Sequence, residues 1–120
     1  MNNHGFLRVA AAVPKLALAD CHTNAERHLE LLKEAETRGV RLVVFPECSL
    51  TGYTCGDLFH QDALLNAAES ALDRLIRKGA DAFTGIAVVG LPLRIDGAVY
   101  NAAAAFENGI LRALAKGGVP

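Results

Sequence analysis

Apolar residues in this chain cluster in two ways. Some form short, mostly apolar runs, as in Phe6 to Val13, Arg41 to Phe45, Ile86 to Leu91, Val99 to Phe106 and Ile110 to Ala115. Others recur every three or four positions, as Ala25, Leu29, Leu32 and Ala35 do, and again Leu65, Ala68, Leu72, Leu75 and Ile76. Short apolar runs bounded by Pro, Gly or charge predict strands, and the 3.6-residue recurrence predicts helices. Thr23, followed three residues later by Glu26, has the form of a capping box, which opens the first helix there. Gly39 takes the position just past its end. The second helix is predicted over Asp62 to Lys78, with Gly79 closing it. Residues Leu16 to His22 and Ser49 to Gly56 are predicted loops.

Asp96-Gly97 and Asn108-Gly109 are two-residue hairpin signals, so the last three strands turn back on one another. The predicted order is β-α-β-α-β-β-β. Its first half calls for parallel strands with crossover helices, and its second half for antiparallel ones. The fold class is therefore α/β, a mixed sheet with both helices on one face. Arg41 to Phe45 does not alternate, so both of its faces are expected to be buried. Two helices cover only one side of such a sheet, and the other side is expected to stay apolar and exposed.

A length of 120 residues suits one domain, and 52% hydrophobic residues suit a packed core. The net charge of -1 and the lack of a basic stripe argue against nucleic acid as a partner. The N-terminus, Met1-Asn2-Asn3-His4-Gly5, lacks signal-peptide form, and no apolar run is long enough to span a membrane. Cys21, Cys48 and Cys55 have no disulfide or zinc spacing, which points to reduced thiols, a cytoplasmic setting and no metal.

The chemistry concentrates in Phe45-Pro46-Glu47-Cys48-Ser49-Leu50-Thr51-Gly52-Tyr53. Glu47 follows a buried strand, and the carboxyl ends of strands are where open α/β sheets build their sites. A partly desolvated carboxylate there suits a general base; it equally suits a turn cap or a partner for a surface arginine. Lys116, just past the last predicted strand, suits an oxyanion-stabilising cation or an ordinary solvated lysine. Cys48 is adjacent to Glu47, but strand alternation would turn the two apart. Cys55 has no adjacent base, and His60 is not placed to serve as one. Tyr53 suits substrate binding or packing. The glycines from Gly85 to Gly90 lack the Lys-Ser/Thr of a phosphate loop.

Phe45-Pro46-Glu47, Leu50-Thr51-Gly52-Tyr53 and Asp57-Leu58-Phe59 together resemble the nitrilase (carbon–nitrogen hydrolase) superfamily. The longer pattern resembles more closely the glutaminase domain of glutamine-dependent NAD+ synthetases. Val88 to Pro92, Tyr100-Asn101-Ala102-Ala103-Ala104 and Asn108 to Leu111 agree with it, from about His4 to Pro120. The resemblance implies a nitrilase-like αββα sandwich, of which residues 1–120 form the N-terminal portion, apparently incomplete. It implies Glu47 as general base of a Glu-Lys-Cys triad, Lys116 as the cation paired with it, and Tyr53 beside a glutamine substrate. Val119-Pro120 fits the pattern that follows the lysine. It also implies a homo-oligomer, and ATP with magnesium only in a synthetase domain outside this chain, with no cofactor in this segment. The runner-up readings are another amidase of the superfamily and a non-catalytic binding or assembly module.

This chain departs from the pattern in three places. Gly109 to Lys116 is one residue short, which turns Lys116 to the other face unless a bulge intervenes. Gly117-Gly118 replaces a hydroxyl residue and an aromatic. Cys21, Cys48 and Cys55 do not align with the nucleophile, so the chain alone is expected to be inactive.

Overall fold

A computed structural model describes residues 7–52 and 61–117. The elements run β1 (Val9–Ala11), α1 (Cys21–Thr37), β2 (Leu42–Val44), α2 (Asp62–Ala82), β3 (Ile86–Ile95), β4 (Ala98–Glu107) and β5 (Ile110–Lys116). The five strands form one sheet in the order β1-β2-β3-β4-β5. The first two pairings are parallel and the last two antiparallel, as the hydrophobic pattern predicts.

Both tight turns follow from their residues. Asp96 and Gly97 have φ of 50° and 81°, and Asn108 and Gly109 have φ of 51° and 75°. Two consecutive positive φ values give a turn whose twist matches the strands it joins, and Asn, Asp and Gly tolerate that region best.

The core lies between the sheet and the two helices. Ala25, Leu29, Leu32 and Ala35 of α1 are all buried, as are Leu65, Ala68, Leu72 and Leu75 of α2. All of these except Leu65 meet Val43, Ala87, Val89, Leu91, Ala104 and Phe106 in one cluster. Arg74 of α2 also binds Glu26 of α1 at 2.5 Å, which ties the helices side by side. On the opposite side of the sheet, Val9 is 58% exposed and Val44 43%. Strand β2 is thus buried on one face only, which corrects the expectation of two; a single layer of helices leaves its other face bare.

Several boundaries move for physical reasons. The first helix starts two residues before Thr23, because Asp20 is its cap. The Asp20 carboxylate accepts from the Thr23 N–H at 3.1 Å and from its hydroxyl at 2.8 Å. These bonds, hydroxyl first, lower the Asp20 pKa. Asp20→Ala should therefore lower the midpoint of thermal unfolding by roughly a few degrees, and Asp20→Asn by much less, since Asn caps as well. The second helix continues through Gly79 to Ala82 instead of closing there. Gly79 is buried, and a Cβ on it would stand 3.2 Å from the Phe106 ring, so it gives a sheet residue room inside a helix. Among the described residues the first strand covers only Val9–Ala11, Phe6 lying outside them, while β3 extends through Pro92 to Ile95.

Candidate functional site

Glu47 sits three residues beyond β2, in a compact double turn. Phe45 N–H still donates to Val88 O at 2.8 Å, extending the parallel ladder by one bond. The chain then folds back: Ser49 N–H donates to Pro46 O, and Thr51 and Gly52 N–H donate to Cys48 O. Cys48 takes φ of 52°, a left-handed conformation that costs a side-chain-bearing residue free energy unless the surroundings enforce it.

Two things enforce it. From the strand side, Leu50 N–H donates to Gly90 O at 3.0 Å, and Gly90 N–H donates to the Ser49 hydroxyl at 3.3 Å. From the helix side, α1 sends in two fully buried polar side chains. The Asn24 amide donates to Ala17 O and Leu50 O and accepts from Ala17 N–H. His28 lies with its ring 4.3 Å from that of Phe45, its Nδ1 2.6 Å from Asn24 O and its Nε2 2.8 Å from Ser49 Oγ. The partners assign the protons. A carbonyl only accepts, so Nδ1 carries the hydrogen, and Nε2 accepts from Ser49, whose oxygen accepts from Gly90. Burial lowers the His28 pKa to about 4, against a smaller opposing effect of the Asn24 carbonyl. The ring is therefore neutral at pH 7.

On the open face of the sheet, Glu47 reaches the Asn101 side chain of β4. The Asn101 Nδ2–H donates to Glu47 Oε1, and Asn101 Oδ1 accepts from the Cys48 thiol at 3.5 Å. A cleft of about 340 Å³ opens here, lined by Val44, Pro46, Glu47, Gly90, Asn101 and Lys116 among others. Glu47 and Lys116, singled out in the sequence, thus border one cleft.

Three expectations need correction. Glu47 is exposed, not partly desolvated, because its side chain leaves the buried turn for Asn101 on the bare side of the sheet. Cys48 is not turned away from Glu47 by strand alternation, since both lie past β2 and share Asn101. Lys116 is the last residue of β5 and does not pair with Glu47; its ammonium stands over the Tyr100 ring, 4.4 Å from the centroid. The cause is a bulge, which does the reverse of the expected rescue of the short hairpin. Ala105 pairs with Ala113 but Phe106 with Leu111, so Arg112 is extra. An unbroken ladder would set Lys116 opposite Asn101; the bulge sets it opposite Ala102, on Tyr100's side of the strand. Tyr53, Cys55 and His60 lie outside the described residues. Among the described residues no group of His, Cys, Asp and Glu is arranged to hold a metal, and no helix is long and apolar enough to cross a membrane.

Asn101 is not among the site residues that the sequence marks, although it is the one amide in an otherwise alanine-rich strand. That interruption is the signal available in the sequence.

A mixed sheet with helices on one face and a carboxylate turn at the end of its second strand defines an α/β protein of the nitrilase type. The architecture matches a glutamine-dependent NAD+ synthetase from Cytophaga hutchinsonii with a TM-score of 0.83, at 29% identity over 92% of this chain and 18% of that one. It matches an amidase from Nesterenkonia sp. at 0.73 and 21% identity, over 92% of this chain and 42% of that one, which shows the shared fold. Residues 8–113 match the carbon–nitrogen hydrolase family, and the chain belongs to it. The glutamine-dependent NAD+ synthetase of Mycobacterium tuberculosis is 40% identical over 106 residues, 88% of this chain. The chain spans 16% of that relative's length, and the match places it in the N-terminal, nitrilase-like part.

Proposed function

We propose that this chain forms part of a glutamine-hydrolysing site that supplies ammonia for ATP-dependent NAD+ synthesis in a longer protein. The observation that supports it is Glu47, held at one end of the cleft by a neutral amide with its second carboxylate oxygen not engaged by Asn101. In this reading Glu47 is the general base that takes a thiol proton, because an ionised carboxylate is acceptor-only. Lys116 stabilises the charge that develops on the attacked carbonyl oxygen, which requires it to leave the Tyr100 ring. Tyr53 contacts glutamine. The nucleophile is none of Cys21, Cys48 and Cys55, so the 120-residue chain is inactive by itself. ATP and magnesium belong to a synthetase domain, and a cytoplasmic location goes with the reading.

The bare face of the sheet, including Val9 and Val44, supports association as a homo-oligomer.

Ammonia release from glutamine tests the reading. The purified 120-residue chain should release none above background, and detectable turnover would overturn the assignment of the nucleophile. A longer polypeptide obtained by following the source reading frame beyond Pro120 should be active. Glu47→Gln in it should reduce turnover by roughly 10²- to 10⁴-fold, the range for loss of a general base. Release of ammonia from simple aliphatic amides in preference to glutamine would favour an amidase instead.

A further inference from the structure

We infer that Asn101 is a positioning residue that sets the orientation of the Glu47 carboxylate and its spacing from the end of β5. The inference rests on the reading of Glu47 as a base. Three contacts made by this one residue carry it. Its Nδ2–H donates to Glu47 Oε1. Its Oδ1 accepts from the Cys48 thiol at 3.5 Å. Its backbone carbonyl accepts from the Gly117 N–H at 2.7 Å.

The first two contacts fix which way the amide faces. An ionised carboxylate only accepts, so the amino end must point to Glu47, and the carbonyl end is left for the thiol hydrogen. The amide therefore reads both residues of the turn at once and holds its plane between them. With Oε1 engaged, the other carboxylate oxygen is the one left to take a proton. The third contact ties the Lys116-Gly117 end of β5 to the same residue. One position on β4 thereby serves as the spacer between the two edges of the cleft.

The choice of a neutral donor has a chemical reason. A lysine or arginine in this place would also orient the carboxylate, but an adjacent cation stabilises the charged form and weakens it as a base. An amide orients it without adding charge. Among the described residues, the titratable groups around Asn101 are Glu47 and Cys48 of the turn, Tyr100 of its own strand and Lys116 of β5, the last two stacked on each other.

Asn101→Asp tests this, because it keeps the shape and replaces the donor by a second carboxylate. Thermal unfolding of the 120-residue chain is followed from pH 4 to pH 8. The variant's midpoint should fall increasingly below that of the unsubstituted chain as pH rises, because both carboxylates then ionise and repel. Near pH 4 one of them is protonated, donates to the other, and the deficit should shrink. Glu47→Gln combined with Asn101→Asp exchanges donor and acceptor, and should recover at least half of the deficit at pH 8. Asn101→Ala should lower the midpoint without this pH dependence. A deficit for Asn101→Asp that is the same at every pH, or no recovery in the double variant, would overturn the inference. If Asn101→Asp does not fold, the double variant decides: it should fold, and its failure to do so counts against the proposal. No readout here needs turnover, so the proposed glutamine hydrolysis can fail while the positioning role stands, and the reverse.

Discussion

Gly90→Ala is expected to destabilise the chain by about 2–3 kcal/mol, near the upper end of what overpacking usually costs. A Cβ at this position would stand 2.4 Å from Cys48 N, 2.7 Å from Pro46 O and 3.0 Å from the Glu47 carbonyl carbon. All three are backbone atoms of the turn that carries Glu47, so no side chain can swing aside. The turn must lift off β3. Lifting it breaks the Leu50 N–H bond to Gly90 O and the Gly90 N–H bond to Ser49, and carries Glu47 away from Asn101. Against a typical domain stability of about 5–15 kcal/mol, such a loss is large.

Urea unfolding measures it, with Gly97→Ala as the comparison. Gly97 also lacks a Cβ, but an added one meets nothing within 4 Å, and only its φ of 81° is strained by a side chain. That strain costs about 1–2 kcal/mol. Gly90→Ala should therefore shift the midpoint further than Gly97→Ala. Equal shifts would mean that the turn does not press on β3.

The parts of this fold legible in the sequence are those set by local rules. Asp-Gly and Asn-Gly fix the hairpins through φ alone, and the spacing of Ala25, Leu29, Leu32 and Ala35 fixes the buried face of α1. What local rules miss is set by tertiary contact. Gly79 reads as a helix stop, yet it lies within the helix where a Cβ would crowd the Phe106 ring of β4 at 3.2 Å. Thr23 reads as a cap, yet it is the residue that Asp20 caps to. The site divides the same way. Glu47 stood out because a lone acid follows an apolar run. Asn24 and His28 did not, because a polar residue on a helix reads as solvated until something buries it. The bulge at Arg112 has no signature in the sequence, and it decides the side of β5 on which Lys116 stands.

His28 makes the protein sensitive to mild acid. Its folded pKa of about 4 lies below the ordinary value of 6.5, chiefly because burial disfavours the imidazolium. The unfolded chain therefore takes up a proton at this residue from pH 6.5 downward, while the folded chain does so only near pH 4. The unfolded state binds more protons in that window, so stability rises with pH across it and is lost as pH falls. Over the whole window the loss is about 3 kcal/mol, at about 1.4 kcal/mol for each pH unit. Asp20 and Glu26 are also linked to folding, but their depressed values place their effect below their ordinary 3.8 and 4.5, outside most of this range. Denaturant midpoints at pH 7 and pH 5 should thus differ in the unsubstituted chain and differ much less in His28→Gln. That variant should be less stable at pH 7, since Ser49 and Asn24 lose the ring that joins them. The sensitivity acts where function is proposed. A protonated Nε2 cannot accept from Ser49; it presents a second donor to the Ser49 oxygen in competition with the Gly90 N–H, and the hydroxyl hydrogen loses its acceptor. The turn presenting Glu47 should be the first segment to loosen, and faster amide hydrogen exchange at Leu50 and Gly90 at pH 5 than at pH 7, after correction for the intrinsic pH dependence, would register it. Unchanged protection at those two amides, with the global midpoint falling as expected, would confine the role of His28 to the stability of the core.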